Sequence, residues 1–257
     1  MERNQRSLAA IVLVSVLTMT GCGGADDQPQ RRKIEVIGTG PHDSAAFTQG
    51  LEIDGTVRYE GTGKPGASSI RATDLNTGAE LARVDLPAPY FGEGVTLAGD
   101  TLWQITWRNH VAFARDPVTL VERGRVPYEG EGWGICTRAG RLVMSDGTGK
   151  LTFRDPVTFA PTGTVTLRNR RTAHLNELDC AADGSVYAND YPTDTILRID
   201  PDTGRVLDEI AAGGLLAPTT RAHTDVLNGI AQIPGTDRFL LTGKYWPTMF
   251  EVRFVPA

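Results

Sequence analysis

Five short segments of this 257-residue chain place a polar or indole side chain among small and apolar neighbours. They are Phe47-Thr48-Gln49-Gly50-Leu51, Phe91-Gly92-Glu93-Gly94-Val95, Glu131-Gly132-Trp133-Gly134-Ile135, His174-Leu175-Asn176-Glu177-Leu178 and Val226-Leu227-Asn228-Gly229-Ile230. Brought together, they would assemble an acid, carboxamides and aromatic walls around one small cavity. Glu93 is the sharpest candidate. A carboxyl beside Phe91 and partly withdrawn from water has its pKa raised, and can pass a proton between neutral and charged forms near operating pH. A structural acid bonded to neighbouring backbone N–H groups explains Glu93 equally well from sequence. The glycines have a simple role if the segments crowd around a common axis, where backbones approach closely.

Other chemistries find less support. His42, His110, His174 and His223 are scattered, and neither an HExxH nor a Ser-His-Asp arrangement is readable. Cys136 and Cys180 sit in no CxxC and beside no His, which argues against zinc or a thiol nucleophile. In an exported protein they form either a disulfide or two small buried hydrophobes. Glu131, Glu177, Asp179 and Asp190 offer carboxylates to a hard cation such as calcium, but without a calcium-loop spacing. A net charge of −5 with both signs interspersed supplies no basic face for nucleic acid and no polybasic membrane patch.

The elements that would position these residues follow from the repeat. The motif recurs at intervals of roughly forty to fifty residues, enough for four short strands each time. A β-branched or aromatic strand follows each motif, from Val57, Leu102, Leu142, Val186 and Phe239 onward. In four units a third strand runs into turn chemistry: Asp74-Leu75-Asn76-Thr77-Gly78, Asp116-Pro117, Asp155-Pro156 and Asp200-Pro201-Asp202-Thr203-Gly204. The turns after the second strands carry Trp107, Asp146, Tyr191, Lys244, Tyr245 and Trp246 to a rim, where packing between units is the alternative use for any single aromatic ring. The last unit lacks a fourth strand, and residues 33–38 form a spare one. The expectation is an all-β, five-bladed β-propeller, its ring closed by the N-terminal strand pairing with the last blade.

Three regions are expected. Residues 1–22 read as a lipoprotein-type signal peptide, with Arg3 and Arg6, an apolar run too short to span a bilayer, and Thr20-Gly21-Cys22 at the cleavage site. Residues 23–32 read as a flexible tether, and 33–257 as the propeller domain. Export, to the periplasm or to an outer-membrane lipid anchor at Cys22, is the corresponding expectation. A monomer is the default.

Taken together, the five motifs with Gln104-Ile105-Thr106-Trp107, Met144-Ser145-Asp146-Gly147 and Thr242-Gly243-Lys244 resemble the glutamine cyclotransferase family, the plant and bacterial type of glutaminyl cyclase. The resemblance runs from about Lys33 to Val255. It implies a five-bladed propeller and a zinc-independent reaction with no required cofactor, in which the N-terminal Gln of a peptide or protein closes to pyroglutamate with release of ammonia. It assigns Glu93 as proton shuttle, and Gln49, Asn176 and Lys244 as groups that bind and polarise the substrate amide. Phe47, Phe91, Trp107 and Trp133 become pocket walls. Tyr191 stands in the substrate-binding set where relatives often carry Trp. Family members also allow a structural calcium ion on the propeller axis.

Overall fold

The computed structural model describes residues 28–257. The expected leader and Cys22 lie outside them, as does the first half of the tether. Among the described residues the fold is all-β, with twenty strands and one short helix, α1 (Pro218–Arg221).

Four strands make up each unit. The first unit is β2 (Thr48–Asp54), β3 (Val57–Thr62), β4 (Ser69–Asp74) and β5 (Glu80–Asp85), and the second is β6 (Gly92–Ala98), β7 (Thr101–Thr106), β8 (Val111–Arg115) and β9 (Glu122–Pro127). The third is β10 (Ile135–Arg138), β11 (Arg141–Ser145), β12 (Lys150–Arg154) and β13 (Pro161–Thr166). The fourth is β14 (Leu175–Cys180), β15 (Val186–Asp190), β16 (Thr195–Asp200) and β17 (Arg205–Ala211). The last, β18 (Leu227–Gln232), β19 (Arg238–Gly243) and β20 (Thr248–Pro256), is completed by β1 (Gln30–Pro41), which pairs antiparallel with β20 from Arg32↔Pro256 to Pro41↔Thr248.

One pairing goes beyond the sequence expectation. β1 also runs parallel to β17, from Gln30↔Asp208 to Lys33↔Ala211, which fuses the fourth and fifth units into one eight-stranded sheet beside three four-stranded ones. Gln30, Arg31 and Arg32 are therefore strand rather than tether, and Arg32 reaches Asp208 at 3.0 Å.

Burial explains the order of strands within a unit. The first strands are buried on both faces, as in β6, whereas outer strands such as β9 alternate with solvent. First strands touch in a closed circuit: β2 against β6, β6 against β10, β10 against β14, β14 against β18, and β18 against β2. The apolar core is divided accordingly, with one cluster between each successive pair of units. Tyr59 and Ile70 meet Val95 and Leu102, and Trp103 and Ile105 meet Ile135 and Leu142. Val143 and Leu151 meet Leu178 and Val186, Ile196 and Ile210 meet Ile230 and Leu241, and Ala231 and Leu240 return to Leu51 and Ile53. Trp103 and Trp246 are each 2 % exposed inside these clusters, so packing between units is their role. Cys136 and Cys180 form a disulfide that ties β10 to β14.

The third-to-fourth strand turns fold as their residues dictate. Asp116 Oδ1 accepts the N–H groups of Val118 and Thr119, and Asp155 Oδ1 those of Val157 and Thr158. These local bonds set the turn, and the strands on either side then pair in register.

Candidate active site

The motif residues reach the channel by means of β-bulges. Pairing between the first and second strands slips between Thr48 and Gly50, Gly92 and Val95, Leu175 and Leu178, and Leu227 and Ile230. Gln49, Glu93, Asn176 and Asn228 all lie inside these slips. A bulge frees its residues from the ladder and re-aims their side chains, which accounts for four polar residues projecting into one place. Glycine permits the crowding: a Cβ on Gly94 would lie 2.7 Å from Ile135 N, and one on Gly50 2.6 Å from Val95 N.

The resulting cavity, of about 210 Å³, is lined by Phe47, Gln49, Lys64, Phe91, Glu93, Trp107, Trp133, Asn176, Tyr191 and Lys244. Every residue singled out for catalysis or substrate binding from sequence is among them. Lys64 is the one addition. It sits on a turn, outside the repeated motifs, and no periodic pattern marks it. Asp146 instead bonds Thr148 and Lys150, and Trp246 donates its indole N–H to Asp225 O.

At the base of the cavity Gln49 Nε2 donates to Glu93 Oε1 at 2.9 Å, and Asn228 Nδ2 holds Gln49 Oε1 at 3.2 Å. Glu93 Oε2 and Asn176 Oδ1 are buried without a hydrogen-bond partner among the described residues. Buried acceptors of this kind are costly unless a ligand supplies donors, roughly 1–3 kcal/mol each. Burial pushes the Glu93 carboxyl well above the usual carboxylate range, against the pull of the Lys244 ammonium; the Glu131 charge adds a smaller push upward. Burial in turn lowers the Lys244 pKa, partly offset by Glu93. Lys244 Nζ lies 4.9 Å from the Phe47 ring centroid and 5.3 Å from that of Tyr191.

The walls are set by a carboxylate of another kind. Glu131 Oε2 accepts the indole N–H of Trp107 at 2.7 Å and of Trp133 at 3.0 Å, while Oε1 takes Arg108 Nε at 2.7 Å. Burial raises the Glu131 pKa, but these three donors outweigh it and hold the group ionised. Phe91 packs on Trp107 at 5.5 Å and on Phe47 at 6.1 Å, and Tyr191 stands edge-on to Trp133 at the exposed mouth. Behind Phe47, the buried carboxylate of Glu60 accepts from His42, Thr48 and Arg71. Burial raises its pKa, and these partners reverse that and carry it down to about 2.

The four acids offered to a cation do not form one ligand set. Glu131 is held at the rim, and Asp190 by Arg170 and the His174 N–H. Glu177 spans the ring between the N–H groups of Leu51 and Ile230. Among the described residues no group of three or more His, Cys, Asp or Glu is arranged to hold a metal.

Comparison with known proteins points to one family. A family model described as glutamine cyclotransferase matches residues 7–254. The glutaminyl-peptide cyclotransferase of Arabidopsis thaliana is 37 % identical over 232 residues, which span 88 % of this chain and 72 % of that protein. The crystal structure of Myxococcus xanthus glutaminyl cyclase superposes with a TM-score of 0.79 at 36 % identity, covering 90 % of this chain and all of that one. A β-propeller domain from Myceliophteria thermophila, at 8 % identity and a TM-score of 0.52, covers 85 % of this chain and 99 % of its own, and shares the fold alone.

Proposed function

The chain belongs to the glutamine cyclotransferase family, and from that premise we propose that it is a glutaminyl-peptide cyclotransferase using Glu93 as its proton carrier. The observation that carries the assignment is the pairing of two buried, unpartnered acceptors, Glu93 Oε2 and Asn176 Oδ1, with the Lys244 ammonium in one small cavity. An N-terminal glutamine has the complementary groups. Its α-ammonium donates to Glu93, its amide NH₂ to Asn176, and its amide oxygen accepts from Lys244.

The Glu93 carboxylate takes a proton from the α-ammonium, and the freed lone pair attacks the side-chain carbonyl carbon. Negative charge develops on the amide oxygen, where Lys244 stabilises it. Glu93 then protonates the departing amide nitrogen and takes up the surplus proton of the ring nitrogen. One C–N bond forms, one breaks, and ammonia leaves. Because both reacting groups belong to one residue, a held geometry supplies much of the acceleration. Phe47, Phe91, Trp107, Trp133 and Tyr191 hold it, with Gln49 fixing the Glu93 carboxyl.

The five four-strand units are, on this reading, five propeller blades. The closed circuit of first strands and the divided core support that count. The leader, the Cys22 anchor, export and a monomeric state remain part of the proposal on sequence grounds, and no described helix is long and apolar enough to cross a membrane.

Ammonia release from a Gln-initiated dipeptide amide tests the assignment. Glu93→Gln should lower kcat by about 10²–10⁴-fold with an unchanged circular-dichroism spectrum. Full turnover in that variant removes Glu93 from the mechanism.

A further inference from the structure

Lys64 is the cavity residue to which the cyclisation chemistry assigns no task. Its side chain is exposed at the mouth, with Nζ 3.9 Å above the centroid of the Phe47 ring. Arg108 is paired with Glu131 at 2.7 Å, Lys150 with Asp146 at 2.8 Å and Arg170 with Asp190 and Glu209, while Lys244, the other cation lining the cavity, is buried. Among the described residues Lys64 has no carboxylate within ion-pair distance.

Its backbone is held where lysine is disfavoured. Lys64 has φ +94°, and its carbonyl accepts Ala67 N–H at 2.9 Å and Ser68 Oγ–H at 2.8 Å. A side chain in this region carries backbone strain that glycine would avoid. Pro65 follows it, and Gly66, at φ +78°, completes the turn with a residue suited to such a conformation. A strained lysine at the lip of a cavity, with no structural partner but an aromatic face, is an arrangement that serves a ligand.

The reaction dictates what reaches that lip. The amine and the side-chain amide of the substrate glutamine must both lie deep, beside Glu93 and Asn176, while the main-chain carbonyl leads the rest of the peptide outward. The second residue is then the first group to meet the rim. Resting on the cyclisation reading, we infer that Lys64 is a specificity-determining residue that favours substrates carrying a carboxylate on the residue after glutamine. That carboxylate belongs either to an Asp or Glu side chain or to the C-terminus of a dipeptide.

The test measures kcat and KM for ammonia release from Gln-Ala-amide, Gln-Ala free acid, Gln-Glu-amide and Gln-Lys-amide, in wild type, Lys64→Gly and Lys64→Glu. Wild type is expected to favour Gln-Glu-amide over Gln-Lys-amide by about tenfold at low salt, chiefly through KM, with the ratio shrinking in high salt. Preference for Gln-Ala free acid over its amide would show that a terminal carboxylate is read as well, and a preference confined to Gln-Glu-amide would assign the recognition to side chains. Lys64→Gly should bring the charge preference close to one with a Tm no lower than wild type, since strain is relieved. Lys64→Glu should invert it. Equal use of the acidic and basic peptides by wild type, or an unchanged ratio in Lys64→Gly, overturns the role of Lys64 alone. No ammonia from any peptide overturns the cyclisation reading, and this inference with it.

Discussion

Glu93 keeps one carboxyl oxygen on Gln49 and leaves the other free, in an environment that favours its protonated form. Catalysis by proton uptake requires the carboxylate, so kcat/KM should fall on the acid side as Glu93 becomes protonated. Burial places that limb above the usual range of a glutamic acid. The sign of the Lys244 contribution gives a sharper check. Its positive charge lowers the Glu93 pKa, so Lys244→Met should move the acid limb of the pH profile to higher pH, besides lowering kcat by about 10²–10³-fold through loss of oxyanion stabilisation. An unmoved limb would show that another group titrates. The second carboxylate of the site works the opposite way: Glu131 stays ionised because two indoles and Arg108 donate to it, and that ionisation positions the walls.

At the scale of the element, the same irregularity is used repeatedly. In four units a bulge opens the first strand where the polar motif residue stands, so the side chain leaves the ladder and enters the channel. The neighbouring glycines let the bulged strands approach, and the close contacts run in sequence from Gly50 to Gly94 to Gly134. A methyl group at Gly94 would meet backbone rather than a movable side chain. Gly94→Ala should therefore destabilise the protein by about 1–3 kcal/mol, read as a lower denaturation midpoint in urea, and should impair turnover by displacing Glu93. A midpoint equal to wild type would show that the strands can separate at no cost.

Across the whole molecule, closure depends on β1. It supplies the outer strand of the last unit through β20 and also grips β17, so that the fourth and last units are fastened together. His42, just beyond it, bonds Glu60 in the first unit and the Trp246 carbonyl beside Lys244. Removing residues 1–29 should leave Tm within a degree or two of the full chain, because none of these contacts is touched. Removing residues 1–41 exposes the edges of β17 and β20 and should lower Tm by more than about 10 °C or cause aggregation. Equal Tm for the two truncations would mean that the ring does not need this strand.

The repeat, its turns and the residues that meet at the cavity were legible in sequence because each is encoded locally. Asp116 sets its turn by bonding N–H groups two and three residues on, and Gln49, Glu93 and Asn176 recur at matching places in units that fold alike. The tertiary structure alone decided what passes between units or lies on irregular loops. It bonded Cys136 to Cys180, buried Trp246 between units, and gathered the indoles of Trp107 and Trp133 on Glu131. It gave β1 a second partner in β17 and brought Lys64 over Phe47. Such contacts join residues from different turns of the ring, and their partners are chosen by packing and burial, which leave no period along the chain.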